Sequence, residues 1–222
     1  MIVAERKPLA ELVDMIKDFD RVLLLACKGC VTVCSAGGER EVENLAPLLR
    51  IGCKKLGKKV EIVEGSLVRQ CDREYIDSID QWEGQYDAIM SMACGVGVNF
   101  IANLRPMARV FPAVNTTFYG GSADQGIWTE QCAGCGNCVL HLTGGLCPIA
   151  RCAKSLFNGP CGGSQGGRCE IHPEVPCIWA AIHDRLERLG AMDNLLKVAP
   201  IRDWATAGHG GPRKIIRDDL TV

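Results

Sequence analysis

The 222-residue sequence has few of the features that several common functions require. Aromatic residues make up only 5% of the chain, and 25 basic residues against 26 acidic ones leave a net charge of −1. No basic, aromatic surface for nucleic acid is indicated. No apolar run is long enough to span a bilayer, and the charged start at Glu5, Arg6 and Lys7 is not followed by the apolar segment of a secretory signal. We therefore expect a cytoplasmic protein with no nucleic-acid partner and no membrane span.

The patterns that would indicate catalysis are missing as well. No glycine-rich turn is followed by the Lys-Ser/Thr pair of a phosphate-binding loop, and the sequence has no dinucleotide-binding fingerprint. We find no Ser/His/Asp set and no paired carboxylates in a defined context. The sequence therefore predicts no catalytic residue, and a stand-alone enzyme is the weakest interpretation.

Cysteine, in contrast, is abundant, with 14 residues in the chain. A chain with 47% apolar residues can bury a core without disulfides, and intracellular thiols stay reduced, so metal binding is favoured over disulfides. One group comprises Cys27, Cys30, Cys34, Cys71 and Cys94, and a second comprises Cys132, Cys135, Cys138, Cys147, Cys152, Cys161, Cys169 and Cys177. Such spacing indicates iron–sulfur clusters or zinc. The remaining Cys53 is predicted to be a small core residue.

The predicted fold class is α/β, with an N-terminal parallel-sheet, Rossmann-like domain over residues 1–114. Short apolar runs alternate with amphipathic segments, as expected for parallel strands joined by helices. The predicted strands span residues 21–26, 59–63, 86–92 and 109–114, and Pro112 favours an edge position for the last one. A helix should open at Glu39, and Pro47 should kink or delay it.

Residues 115–190 are predicted to form a Cys-rich cluster-binding domain, and residues 191–222 an extended C-terminal arm. The first of these segments is rich in glycine and has little periodic apolar pattern, so metal ligation would have to supply part of its stability. A single helix is expected over residues 177–189, ended by Gly190.

The first cysteine group is expected to bind a cofactor at the carboxyl edge of the sheet. Cys27, Cys30 and Cys34 form a C-x2-C-x3-C run after the first predicted strand. Because the carboxyl ends of parallel strands meet at one edge, Cys94 or Cys71 could supply the fourth ligand of a [4Fe–4S] cluster. The alternative is a thioredoxin-like dithiol formed by Cys27 and Cys30.

The second group contains the C-x2-C-x2-C run of ferredoxin-type clusters, at Cys132, Cys135 and Cys138. Its eight cysteines could hold two four-ligand sites, either two [4Fe–4S] clusters or one cluster and one structural zinc. The spacing does not settle which four go together. We expect two or three clusters in the chain, with zinc as the alternative occupant of a site. The predicted cluster ligands are Cys27, Cys30, Cys34, Cys94, Cys132, Cys135, Cys138 and Cys177, and the predicted metal ligands are Cys71, Cys147, Cys152, Cys161 and Cys169.

Several stretches together carry a resemblance to a known family. They begin with Cys27-Lys-Gly-Cys30-Val-Thr-Val-Cys34 and Ser91-Met-Ala-Cys94-Gly-Val-Gly97, and the most specific is Thr143-Gly-Gly-Leu-Cys147-Pro-Ile-Ala-Arg-Cys152. Further stretches are Arg69-Gln-Cys71, Asn158-Gly-Pro-Cys161, Gly167-Arg-Cys169, Cys177-Ile-Trp179 and Gly211-Pro-Arg213. This pattern resembles the small, MetV-type zinc/iron–sulfur subunit of acetogen-type methylenetetrahydrofolate reductases, in the methylenetetrahydrofolate reductase C-terminal domain family.

The resemblance implies a partner rather than an activity of the chain alone. The family's catalytic subunit is a MetF-type TIM-barrel flavoprotein that reduces methylene- to methyl-tetrahydrofolate, and the small subunit passes electrons toward its flavin. A further electron-donor subunit is also implied. The alternatives are a structural zinc-binding adaptor, or an electron-transfer subunit of another complex, such as a heterodisulfide-reductase-like or methyltransferase-activating assembly.

Overall fold

The computed structural model describes residues 1–220, with side chains as far as Asp219. Residues 221 and 222, the end of the predicted arm, lie outside the described residues. The chain divides into two compact units, Met1–Thr129 and a second that begins at Glu130.

The first unit is built on a four-stranded sheet. Its strands are β2 (Arg21–Cys27), β3 (Glu61–Leu67), β4 (Ala88–Ser91) and β5 (Val110–Pro112), in the spatial order β3-β2-β4-β5. All three neighbouring pairs are parallel, which confirms the predicted parallel sheet. Pro112 lies on the edge strand β5, where a residue without an N–H group is tolerated because no further strand among the described residues pairs there.

Helices cover both faces of this sheet because the side chains of β2 alternate between two apolar layers. The helices are α1 (Leu9–Ile16), α2 (Cys30–Val33), α3 (Glu39–Lys55), α4 (Arg73–Ile76) and α5 (Gly95–Leu104), with a 3-10 helix over Asp77–Trp82. Leu24 packs in a cluster with residues of α1 and α3, whereas Leu23 and Leu25 pack in a cluster with Ile101 of α5. Helix α3 begins at Glu39 as predicted and continues through Pro47, which therefore does not delay it.

A second, antiparallel sheet was not predicted from the sequence. It comprises β1 (Ile2–Arg6), β6 (Val114–Asp124) and β7 (Ile127–Cys132), in the order β1-β6-β7. Strand β1 pairs with β6 from Ile2 opposite Tyr119 to Arg6 opposite Val114, with an irregularity between Val3 and Ala4. Strand β6 begins at Val114, so the first residues of the predicted Cys-rich segment form a strand instead of an irregular stretch.

The second unit has little regular structure in its described part. Its α-helices are α6 (Pro148–Arg151) and α7 (Ile178–Arg188), and its 3-10 helices are Met192–Leu196, Trp204–Thr206, Gly208–Gly210 and Asp218–Leu220. Helix α7 confirms the helix predicted here and ends before Gly190, whose φ of +62° suits glycine. Its buried face, including Trp179 and Ile182, forms the core of this unit together with Leu146.

Across residues 1–220, no helix is both long and apolar enough to cross a membrane.

Candidate metal–thiolate centres

Four cysteines of the first unit meet at the carboxyl edge of the parallel sheet, and we call them the edge cluster: Cys27, Cys30, Cys71 and Cys94. Cys27 is the last residue of β2, and Cys30 is the first residue of α2. Cys71 follows β3, and Cys94 is the residue before α5 in the connection from β4. Three parallel strands therefore deliver these thiols to one edge, as the fold type allows.

The thiols of the edge cluster are close enough to interact electrostatically. Burial raises the pKa of the Cys71 thiol, and the thiols of Cys27, Cys94 and Cys30 raise it further. Cys71 is nevertheless exposed as a residue, so part of its surface still contacts water. Mutual repulsion of this kind is expected where several thiolates are gathered.

A buried amide fixes the backbone from which Cys71 projects. Gln70 Nε2 donates to the carbonyl oxygens of Leu25 and Ala26, each at 2.9 Å, at the end of β2. The Ser91 hydroxyl donates to Gln70 Oε1 at 2.6 Å and accepts from the Ala93 amide at 3.2 Å. Gln70 therefore joins the connections that carry Cys27, Cys71 and Cys94.

Cys34, which the sequence grouped with Cys27 and Cys30, packs in the same apolar cluster as Cys27 and Cys94, but its thiol is directed at backbone carbonyl groups. It is buried among apolar residues, and its thiol contacts the carbonyl oxygens of Ala4 at 3.8 Å and Val31 at 3.6 Å. Cys34 is not among the thiols that act on Cys71. Cys53, on α3, is fully buried in the core cluster that α3 shares with α1, which confirms its prediction as a core residue.

In the second unit, one small pocket is lined by four thiols. We call it the four-thiol pocket, and its cysteines are Cys152, Cys161, Cys169 and Cys177. The charged residues Arg151, Lys154 and Glu170 also line it, and Lys154 forms an ion pair with Glu170. The structure thus brings together four cysteines that the sequence could not sort from the other four of this segment.

Two sulfur atoms of the four-thiol pocket accept hydrogen bonds. Burial raises the pKa of the Cys177 thiol, but hydrogen bonds from the Ser164 hydroxyl and from the amides of Ala180 and Trp179 outweigh it, so the net pKa is lowered. The Gly163 amide donates to Cys161 Sγ at 3.4 Å. Donors directed at sulfur favour thiolate over thiol.

The C-x2-C-x2-C loop and Cys147 show the same pattern of donors. Cys132 Sγ accepts from the Gly134 amide and Cys147 Sγ from the Ala150 amide, both at 3.4 Å. Cys135 Sγ accepts from Arg202 Nη2 at 2.8 Å. Cys138, the last cysteine of the loop, is exposed.

The donor chemistry of these sites fits thiolate-bound iron–sulfur or zinc. Among residues 1–220, however, no three His, Cys, Asp or Glu side chains lie in the arrangement of a metal-ion site. Zinc holds each sulfur ligand at about 2.3 Å, whereas a cuboidal cluster keeps its ligands farther apart, one at each iron corner. The cysteine sets therefore fit by chemistry, and their present spacing is not that of ligands on one ion.

Sequence reasoning missed the residues that support the cysteines. Gln70 stands beside Cys71 in the chain, but its hydrogen bonds reach residues 21 to 45 positions away. Arg202 contacts Cys135 across 67 positions. No local pattern marks such pairings, although Ser164, in a Gly-rich stretch between cysteines, could have been recognised as a donor to sulfur.

Comparison with protein families gave one finding for this chain. Residues 111–205 match the family described as methylene-tetrahydrofolate reductase C terminal. The matched stretch is less than half of the 222 residues, and it contains the C-x2-C-x2-C loop, the four-thiol pocket and Arg202. The chain thus carries a domain related to methylenetetrahydrofolate reductase, as the sequence resemblance indicated. Searches of curated proteins and of solved structures gave no match.

Proposed function

We propose that this protein is the electron-transfer subunit of a methylenetetrahydrofolate reductase, and that it delivers electrons to the flavin of a partner catalytic subunit. The observation that supports the proposal is the gathering of cysteines in each unit. Thiols from three strand ends interact in the edge cluster, and four more line one pocket of a domain related to this reductase.

The cysteines would hold three groups. Those of the edge cluster, Cys27, Cys30, Cys71 and Cys94, would hold one, and Cys132, Cys135, Cys138 and Cys147 a second. Those of the four-thiol pocket, Cys152, Cys161, Cys169 and Cys177, would hold the third. When bound, an iron–sulfur cluster supplies one-electron transfer at a potential set by net charge, hydrogen bonds to sulfur and exposure.

The residues around the cysteines would stabilise the bound groups and limit their contact with water. The amides of Gly134, Ala150 and Gly163, directed at sulfur, would stabilise the anionic form of the ligands. Gln70 would hold the edge cluster together, and the apolar residues around Cys27 and Cys94 would limit the access of water. Because the sequence predicts no catalytic residue, we assign folate chemistry to the partner, a MetF-type flavoprotein.

The proposal is tested by purifying the chain anaerobically, alone and with a co-expressed candidate flavoprotein subunit. We expect brown protein with equimolar iron and acid-labile sulfide, and reduction of the partner's flavin through the clusters. Cys135→Ala should remove one cluster's worth of iron and slow flavin reduction, while the partner keeps its flavin. Electron transfer at the wild-type rate in this variant would overturn the assignment, and Cys53→Ala is the matched control.

A structural zinc adaptor is the second candidate, favoured by one observation. The four-thiol pocket lies in a unit with little regular structure, where closing a zinc site with four thiolate ligands would add stability. In that case the protein would be colourless, with zinc as its only metal, and would still bind the flavoprotein. Iron and sulfide analysis separates the two functions.

A further inference from the structure

Arg202 is a buried cation that has no carboxylate partner within residues 1–220. Its side chain is only 7% exposed. The ion pairs within the described part of the second unit join Lys154 to Glu170, His183 to Asp184, and Arg217 to Asp219. None includes Arg202. Burying an unpaired charge costs several kcal/mol, so native proteins pair such a group.

The hydrogen bonds of Arg202 are incomplete in a specific way. Nη2 reaches Cys135 Sγ at 2.8 Å and the carbonyl oxygens of Asn137 and Cys135. Nε and Nη1 are buried and have no hydrogen-bond partner among the described residues. The Nη2 group of the guanidinium thus binds the C-x2-C-x2-C loop, whereas Nε and Nη1 can still donate hydrogen bonds to a further acceptor.

The C-terminal arm holds Arg202 against this loop by other contacts. The Trp204 ring lies 5.0 Å from the guanidinium carbon. The Thr206 hydroxyl donates to the Cys135 carbonyl oxygen at 2.9 Å. Gly136, with φ +79°, leaves room for the Thr206 backbone, since a Cβ there would lie 2.2 Å from the Thr206 carbonyl oxygen. The position of Arg202 is therefore fixed from two sides of the loop.

We propose that Arg202 and the loop form a cation-lined site for an anionic metal–thiolate group bound by Cys132, Cys135, Cys138 and Cys147. This inference rests on the proposed function and names a residue that regulates one of its sites. A thiolate-ligated group carries net negative charge, which is what a buried cation with free donors requires. Arg202 stabilises the more negative, reduced state, so it raises the reduction potential of this set relative to a neutral side chain.

The experiment compares Arg202→Met and Arg202→Lys with the wild-type full chain, prepared anaerobically. Arg188→Met serves as the control, because Arg188 is an exposed arginine at the end of α7. An EPR-monitored redox titration and the rate of metal loss to a chelator are measured, and Cys135→Ser identifies the signal of this set. For Arg202→Met we expect at least a tenfold rise in the ratio of oxidised to reduced cluster at a fixed potential. For a one-electron couple, this corresponds to a fall of about 59 mV in the reduction potential. We also expect faster loss of metal to the chelator.

Arg202→Lys keeps the charge and should restore both properties toward wild type, even if Arg202→Met loses the group altogether. The inference is overturned if Arg202→Met matches wild type in both measurements, or if Arg202→Lys behaves like Arg202→Met. Failure of the proposed function is distinguishable, because wild-type protein would then contain no iron or sulfide. The chelator measurement would in that case test Arg202 on the zinc that remains.

Discussion

The Ser91 hydroxyl donates a 2.6 Å hydrogen bond to the side-chain oxygen of Gln70, and both residues are completely buried. Ser91 ends β4, three residues before Cys94, and Gln70 precedes Cys71. The amide of Gln70 also donates to two carbonyl groups beside Cys27. One polar contact therefore links the three chain segments that bring the edge cluster together.

Replacing Gln70 with methionine should destabilise the first unit and move the cysteines of the edge cluster apart. The variant leaves the Ser91 hydroxyl without its acceptor and removes the side-chain donor to the carbonyl groups of Leu25 and Ala26, although Leu25 keeps its bond from the Met92 amide. We expect a loss of about 1–3 kcal/mol in the free energy of unfolding, the cost of a buried unsatisfied group, and lower iron content. Urea unfolding followed by circular dichroism measures the first effect.

The matched control is Gln81→Met, because Gln81 is exposed and donates only to the Ser78 carbonyl oxygen of its own turn. A change below about 0.5 kcal/mol is expected there. Equal stability of the two variants would show that the buried amide does not secure the strand ends.

Cys71 and Cys34 are expected to differ as ligands, although the sequence alone favoured Cys34. Cys71 interacts with the other thiols of the edge cluster, whereas the Cys34 thiol faces the carbonyl groups of Ala4 and Val31. Cys71→Ala should remove the cluster of the first unit, and Cys34→Ala should keep it with only a small loss of stability. The iron and sulfide content per chain is measured for both variants. If Cys34→Ala loses the cluster and Cys71→Ala keeps it, the ligands are those of the C-x2-C-x3-C run and Cys71 is not one of them.

This contrast shows which features of the site can be predicted from the sequence and which cannot. The buried strands β2 and β4 follow from short apolar runs, and their carboxyl ends indicate where ligands gather. The difference between Cys34 and Cys71 depends on β1, which covers Cys34 only because it pairs with β6 more than a hundred residues later. A pairing so distant in sequence leaves no local pattern, since β1 is half exposed and carries charge at Glu5 and Arg6.

Cys53 should make the stability of the protein fall at alkaline pH. Burial raises the pKa of the Cys53 thiol in the folded state above its ordinary value. As the pH rises past about 8.5, the ordinary pKa of cysteine, the unfolded chain loses this proton before the folded chain does. The unfolded state is then favoured, up to the raised pKa of the folded state.

The Cys53→Ala variant isolates this contribution. Between pH 8 and pH 10, its free energy of unfolding should fall less steeply than that of the wild type. Removing the sulfur atom also lowers stability by an amount that does not depend on pH, so only the slopes are compared. Parallel pH profiles for the two proteins would contradict the assignment. In the folded wild type, Cys53 should also be the last thiol that iodoacetamide modifies, since the thiolate is the reactive form.

Gly136→Ala should release the C-terminal arm from the C-x2-C-x2-C loop. A Cβ at this position would lie 2.2 Å from the Thr206 carbonyl oxygen, which is backbone and cannot rotate away. We expect hydrogen exchange of the amides around Ala205 and Ala207 to accelerate at least tenfold, measured by mass spectrometry. Gly190→Ala controls for backbone strain, because Gly190 also has positive φ, +62°, but has open space around it. If both variants exchange alike, strain rather than the clash with Thr206 is the cause. If only Gly136→Ala opens the arm, the potential of the set that includes Cys135 should fall with it, because Arg202 leaves the loop together with Thr206.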